Sequence, residues 1–225
     1  MISSAPRSAG RILEAVTVVA VLAALLGCES DQDRPPQHHR ATQSTAPRAP
    51  LNLHTVDWPN ATIPGALCRS PGPIRLRNGV ALNVPSDFDR PEPNFPQDVS
   101  AQTDQLAFGD LTGDGQDEAA LPILCANHDS TAAGQRAMGI MIFDGSNGKP
   151  NLVATLSGQQ ERQGEPPNFL QIRQVQPGRI LADESFYSPT DANCCPSGRA
   201  KDVWRYSNGA VKPISSTVTT TAGHG

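Results

Sequence analysis

Apolar and polar residues alternate through much of the segment 51–214. Alternation of this kind is typical of half-buried β-strands, because successive side chains of a strand point to opposite faces of a sheet. The residues on both sides of Asn78-Gly79 alternate, over 74–77 and 80–84. An Asn-Gly pair between two alternating runs predicts a tight hairpin, because both turn residues adopt positive φ angles.

A second hairpin is predicted from 138–143 and 152–156, joined by a turn over 144–148. Further short strands are predicted at 106–108, 119–124, 169–175, 179–182, 203–206 and 210–214. Frequent prolines exclude long helices from the first third of the domain. The pattern therefore predicts an all-β fold, a single antiparallel domain of about 8–10 short strands arranged as a sandwich or as a meander or barrel.

An apolar stretch of 13 residues lies outside this domain, at 15–27, and follows Arg7 and Arg11. Its length suits the core of a signal peptide and is short of the roughly 20 residues that span a bilayer. The run ends in Leu25-Leu26-Gly27-Cys28, which resembles a bacterial lipobox. The resemblance implies a lipoprotein signal peptide at 1–27, cleavage after Gly27 and acylation of Cys28 with diacylglyceryl and palmitate chains. We expect an anchor on the outer face of the cell membrane, where two acyl chains hold a protein stably.

Composition divides the rest of the chain. Residues 28–50 carry four prolines, several Ser and Thr residues, and no aliphatic residue larger than Ala, which predicts a disordered linker after the lipidated cysteine. Within it, His38-His39 has no further ligand nearby and is interpreted as a solvated pair. The β domain is placed at 51–214 and a flexible tail at 215–225. The formal net charge of −4, without a basic cluster, argues against nucleic acid as a partner.

One segment of the domain has metal-binding character. Residues 108–118 read FGDLTGDGQDE, with oxygen-bearing side chains at alternate positions. A hard cation such as Ca²⁺ takes about six to eight oxygen ligands. The candidate ligands are Asp110, Thr112, Asp114, the carbonyl of Gln116, and Glu118. The alternative is a metal-free loop whose aspartates cap turns.

The spacing excludes an EF-hand, because the position of the bidentate glutamate is occupied by Leu121. Closure at Glu118 instead resembles the calcium loop of FG-GAP and VCBS-like repeats, whose ligands would fall on the same five residues. Thr112 stands where an Asp or Asn is commoner, which removes a charge. The motif occurs once, whereas a propeller requires several blades, so a propeller is not implied.

Four cysteines remain in the domain: Cys68, Cys125, Cys194 and Cys195. In an exported protein an even number predicts two disulfides. The side chains of adjacent residues in an extended chain point to opposite sides, which favours bridges from Cys194 and Cys195 outward to the other two, with the order left open. A zinc site of Cys125, His128, Cys194 and Cys195 is the alternative.

A resemblance to a group of actinobacterial envelope lipoproteins rests on an ordered set of segments. The set comprises Asp57–Asn60, Cys68, the 108–118 loop, Cys125, Ala132–Gln135 and the Asp191–Gly198 segment containing CCPSG. The group carries no activity over to this chain, and the resemblance implies an envelope location.

Common catalytic motifs are absent from the sequence. Ser146 and Lys149 have the Ser-x-x-Lys spacing, but they lie in a predicted turn. We therefore expect a membrane-anchored, non-enzymatic binding or structural module stabilised by Ca²⁺, whose partner is an envelope protein or a wall polymer. The alternative is a hydrolase of wall polysaccharide that uses the carboxylates of Asp183, Glu184 and Asp191.

Overall fold

The computed structural model describes residues 49–88, 96–129, 135–164 and 166–219. The predicted signal peptide, Cys28, His38-His39 and almost all of the linker lie outside this part of the chain. Its strands are β1 (Thr62–Ile63), β2 (Ile74–Arg75), β3 (Val80–Val84), β4 (Gln97–Ala101), β5 (Ala107–Gly109), β6 (Glu118–Asn127), β7 (Gln135–Asp144), β8 (Asn151–Leu156), β9 (Phe169–Gln176), β10 (Arg179–Phe186), β11 (Gly198–Ser207) and β12 (Ala210–Val218). The only helices in the described ranges are four single 3-10 turns.

The strands form three antiparallel sheets, none of them closed into a barrel, which confirms the all-β prediction. A six-stranded sheet has the order β3-β4-β6-β7-β8, with β5 also paired to β6. A four-stranded sheet has the order β12-β11-β10-β9, and β1 pairs with β2. The described strands number twelve, slightly more than expected.

The central strands of the six-stranded sheet, β6 and β7, are buried on both faces, and β6 shows why. Its sequence EAALPILCAN is nearly continuous in apolar residues, as expected for a strand covered on two sides. Leu121 and Ile123 pack into one core with Leu53, Trp58 and Cys68 of the N-terminal segment. Ala120 of the same strand packs into a second core against the four-stranded sheet. The fold is therefore built in three layers.

A proline inside the central strand β6 is accommodated by a gap in the pairing. Pro122 lies between Ile123, which pairs with β4, and Ala120, which pairs with β5. The missing N–H of the proline is therefore not required on that edge.

The two predicted hairpins have different outcomes. The hairpin of β7 and β8 is confirmed, with Ile140 opposite Leu156. The Asn78-Gly79 turn is also present, with φ angles of 52° and 84°. Its arms, however, share only the Arg77–Val80 bridge. They separate because β2 pairs with β1 and β3 pairs with β4.

The last strand continues past the predicted boundary at 214. β12 runs to Val218 and pairs with β11 throughout, so the first part of the predicted tail belongs to the sheet. The register shifts between Val203 and Trp204, which face Ser215 and Pro213 respectively, so that Ile214 forms a bulge. As the outermost strand of its sheet, β12 presents this bulge and Pro213 at the edge.

Candidate functional site

The aspartate loop, residues 110–117, connects β5 to β6. Asp110 organises its first half, because its carboxylate accepts hydrogen bonds from the amides of Gly113 at 2.7 Å and of Asp114 and Gly115 at 3.1 Å. Gly113 and Gly115 have φ angles of 81° and 84°, which an L side chain adopts only at a cost. The glycines in the motif are therefore required by the backbone path.

Glu118 closes the same loop from the first position of β6. Its Oε2 accepts from the amides of Leu111 at 2.7 Å and Thr112 at 2.9 Å, and its Oε1 accepts from the Thr112 hydroxyl at 3.3 Å. Burial raises the pKa of Glu118, and the Asp114 charge adds to this, whereas the hydrogen bonds oppose it. Leu111, fully buried in the second core, fixes the loop to the body of the domain.

These residues offer the oxygen chemistry that Ca²⁺ prefers, but their carboxylates are directed at main-chain amides. Asp114 Oδ1 likewise accepts from the amide of Gln116 at 2.9 Å. Across the described ranges, no group of three or more His, Cys, Asp or Glu side chains is arranged to hold a metal ion. The geometry corresponds to the capping alternative, and calcium binding stays a prediction.

A contact that the sequence did not indicate joins the loop to the N-terminal segment. His54 Nε2 lies 2.9 Å from Asp117 Oδ2, and the His54 ring stacks on Phe108 with 3.9 Å between centroids. A cavity of about 340 Å³ lies beside this contact and is lined by Leu53 and Gln116, among others. The loop is thus held on one side by Leu111 in the second core and on the other side by His54 of the N-terminal segment.

The predicted disulfide connectivity is wrong. Cys68 bonds to Cys125, with 5.5 Å between their Cα atoms, and Cys194 bonds to Cys195. The first pair is buried in the N-terminal core, whereas Cys194 and Cys195 are exposed in the loop after β10. A bond from Cys194 or Cys195 to one of the other two cysteines would have to join an exposed loop to the buried interior of the N-terminal core.

The zinc alternative fails for the same reason. Cys125 belongs to one disulfide, and Cys194 and Cys195 form the other. His128 instead lies 2.7 Å from Asp98 through its Nδ1, and this hydrogen bond raises the pKa of His128.

The loop that carries the adjacent cysteines is ordered by Asp191. Its Oδ2 accepts from the amides of Ser188 at 2.7 Å and Ser197 at 2.8 Å. The hydrogen bond from Ser197, followed by that from Ser188, lowers the pKa of Asp191. Tyr187, buried beneath the loop, donates its hydroxyl to the carbonyl of Asn193 at 2.9 Å.

The three carboxylates of the hydrolase alternative do not share a site. Asp183 is partly exposed and lies 3.3 Å from Nε of Arg173. Glu184 points into the interior and is fully buried, whereas Asp191 caps its own loop. Ser146, the other catalytic candidate, donates to Asp144 in the β7–β8 turn.

The structure also contains a cleft that the sequence did not indicate. It has a volume of about 420 Å³ and lies where the end of the β9–β10 pair meets β6, β7 and the 3-10 turn before β5. Its polar lining comes from Gln102, Gln105, Gln171, Asp183 and Ser185, and its apolar lining from Leu124, Met138, Phe169 and Leu170. Asp183 lines the cleft and no Lys or Arg does, so the cleft suits a neutral or cationic ligand that forms hydrogen bonds.

In the part of the chain that the structure describes, no helix is long and apolar enough to cross a membrane. Comparison with protein-family models, with curated protein sequences and with solved structures finds no match to the chain.

Proposed function

We propose that this chain is a lipid-anchored, extracytoplasmic binding or structural module without enzymatic activity. The observation that carries the proposal is the oxidation of all four cysteines of the domain, Cys68 with Cys125 and Cys194 with Cys195. Disulfides persist in oxidising compartments and are rare in the cytosol. The oxidation of these cysteines agrees with export directed by the predicted signal peptide, which precedes Cys28.

The absence of enzymatic activity is proposed because the acidic residues at the candidate sites serve the fold. Asp110, Glu118 and Asp191 accept hydrogen bonds from main-chain amides of their own loops. A catalytic pair would require two carboxylates facing one substrate, separated by the few ångströms that the mechanism sets.

The binding role is proposed for the 420 Å³ cleft near Gln171 and Asp183. Its amide and hydroxyl groups suit a wall polymer or a segment of an envelope protein. If the linker predicted at 28–50 is disordered as its composition indicates, its roughly 20 residues would span about 25 Å root-mean-square and give the domain reach. Bound Ca²⁺ at the aspartate loop would stabilise the same domain.

The anchor is tested with Cys28→Ala in the full-length protein, expressed in a bacterium that processes lipoproteins. We expect the unaltered protein in the membrane fraction after a salt wash, with a mass that includes the acyl chains. Cys28→Ala removes the thiol that receives the lipid and should release the protein. Ser30→Ala, beside the attachment site, is the matched control and should stay in the membrane. An unacylated N-terminus in the unaltered protein, or a Cys28→Ala protein that stays membrane-bound, contradicts the proposal.

A further inference from the structure

Two acidic side chains meet in the interior of the four-stranded sheet. Glu184 on β10 is 0% exposed and Asp202 on β11 is 1% exposed. In the register of the two strands Glu184 faces Ala200 and Asp202 faces Ala182, so the carboxylates are diagonal neighbours on the same face. Within the described ranges no Lys, Arg or His forms an ion pair with either of them.

Glu184 has all the hydrogen bonds that an ionised carboxylate needs. Its Oε1 accepts from Asn168 Nδ2 at 2.6 Å and from the amide of Gln160 at 3.0 Å. Its Oε2 accepts from the amides of Gln159 at 3.0 Å and Gln160 at 3.2 Å. These donors stabilise its negative charge. The same bonds fasten the segment 158–168, of which all residues but 165 are described, to the sheet.

The neighbouring segment also approaches Glu184 very closely. A Cβ atom at Gly158 would collide with Oε1 of Glu184, so only glycine permits this approach.

Asp202 is in the opposite situation, because neither of its carboxylate oxygens has a hydrogen-bond partner in the described part of the chain. Ser216 faces it on β12, and the hydroxyl of that serine accepts from Gln160 Nε2 at 2.7 Å. A buried carboxylate without donors, next to a second negative charge, is far more costly than the neutral acid.

We propose that Asp202 holds one proton and donates it to Glu184 as a hydrogen bond, and that this shared proton fastens the segment 158–168 to the face formed by β10, β11 and β12. The proton is taken from solvent, and no other bond is made or broken. A proton suits the site better than a metal ion, because Glu184 already accepts hydrogen bonds from three donor groups, whereas neither oxygen of Asp202 has a hydrogen-bond partner in the described ranges.

The electrostatics of the site agree with the geometry. Burial, and then the hydrogen bond with the adjacent Glu184 carboxyl, raises the pKa of Asp202 to about 7, although the nearby Ser216 hydroxyl acts in the opposite direction. The other titratable group beside the pair is Glu161 from the 158–168 segment, whose pKa burial and the Glu184 charge also raise. The acidic side chain of Glu161 therefore makes it still less favourable for Asp202 and Glu184 to be negatively charged at the same time.

The direction in which stability changes with pH follows from the number of protons that the folded and unfolded states bind. In the unfolded chain Asp202 has an ordinary pKa near 4, so between about pH 4 and about pH 7 the folded state binds one more proton. The equilibrium constant for folding should therefore fall about tenfold per pH unit across this window and level off above it. At alkaline pH two negative charges face each other, and the contact with the 158–168 segment should loosen.

The test compares unfolding by urea from pH 4.5 to pH 8 in the purified full-length protein and two variants. Asp202→Asn imitates the protonated side chain. We expect it to remove the change in the equilibrium constant for folding that is attributed to this site, about a hundredfold between pH 5 and pH 7. The variant should also keep the Gln159 and Gln160 amides protected from hydrogen exchange at pH 8. Asp183→Asn is the matched control, because Asp183 is partly exposed and lies on β10 next to Glu184, and this variant should keep the dependence.

An Asp202→Asn protein with the unaltered pH dependence would overturn the proposal. If that variant fails to fold, the ¹³C carboxyl resonance of Asp202 in the unaltered protein decides, and titration near pH 4 would refute the shared proton. Binding of one Ca²⁺ that is lost in both Asp202→Asn and Glu184→Gln would replace the proton by a metal ion and equally refute it.

Discussion

Among single residues, the carboxylates of Asp110, Asp114 and Glu118 cap main-chain amides, and the same carboxylates are the predicted calcium ligands. A carboxylate that caps main-chain amides and one that binds Ca²⁺ need the same loop, with glycines that allow positive φ angles. Asp114 is exposed and caps one amide, whereas Glu118 is buried and accepts from two amides and a hydroxyl. Calcium binding and folding should therefore depend on different members of the set.

This difference gives a test of the calcium hypothesis by isothermal titration. We expect the unaltered protein to bind one Ca²⁺, and Asp114→Asn to weaken binding about tenfold by removing one ligand charge. Without calcium, Asp114→Asn should leave stability nearly unchanged, whereas Glu118→Ala should cost about 1–3 kcal/mol because buried amides lose their acceptor.

Asp117→Asn is the control for calcium binding, because Asp117 is outside the ligand set and contacts His54. If millimolar Ca²⁺ gives no heat with the unaltered protein, the residues act as caps alone.

At this scale the sequence indicated which residues are special, and it could not indicate which of them meet. The spacing of 110–118 was visible because the loop is local. Asp202 gave no signal, since its importance arises only when β11 pairs with β10 beside Glu184. The cysteine pairing failed likewise, because alternation predicts the direction of a side chain and not the distance to a partner.

Among the elements, the contact between β5 and β9 joins the two large sheets. A Cβ atom at Gly109 in β5 would overlap the carbonyl oxygen of Val175 in β9. The main chains therefore meet there without an intervening side chain.

Gly109→Ala should force these strands apart and destabilise the protein by about 1–3 kcal/mol, the usual cost of overpacking. Chemical denaturation measures the effect. Gly72→Ala is the matched control, since an added Cβ there meets nothing within 4 Å and its φ is ordinary. Equal stability of the two variants would show that the strands move apart without cost.

Elements with local pairing were the easiest to predict. The hairpin of β7 and β8 followed from two alternating runs around one turn. The Asn78-Gly79 turn was also predicted, but its arms diverge because Ile74 is buried in the first core while Val80 pairs with Ser100 of β4. β1 and β4 were missed, since their short sequences lack a distinct alternation and their partners are distant.

In the whole molecule, the Cys68–Cys125 disulfide connects the N-terminal cover to the central strand β6. It joins residues 57 positions apart, whereas the Cys194–Cys195 bond closes no loop of appreciable length. A crosslink stabilises in proportion to the chain entropy that it removes from the unfolded state.

We therefore expect the double variant Cys68→Ala and Cys125→Ala to lose about 2–4 kcal/mol of the free energy of unfolding. The matched double variant, Cys194→Ser and Cys195→Ser, should lose much less, because Asp191 and Tyr187 hold that loop without the disulfide. Urea denaturation of both proteins provides the comparison. A larger loss in the second variant would mean that the adjacent bond, and not the long crosslink, supports the fold.

The all-β class and the presence of two disulfides, though not their connectivity, followed from composition and alternation, which are properties of the chain as a whole. The order of strands and the division into three layers did not, because they depend on pairings between distant segments such as β4 with β6. The burial of β6 on both faces does have a counterpart in the sequence, because the strand is nearly continuous in apolar residues.

The outer edge of β12 has a consequence for a protein tethered at a membrane, as proposed above. Neighbouring copies on such a surface collide repeatedly in similar orientations, and an open strand edge can recruit another copy into a growing aggregate. Pro213 lacks the N–H that a docking strand would need, the bulge at Ile214 interrupts the regular spacing, and Lys212 adds charge. These features make the edge of β12 a poor template for a strand of another copy.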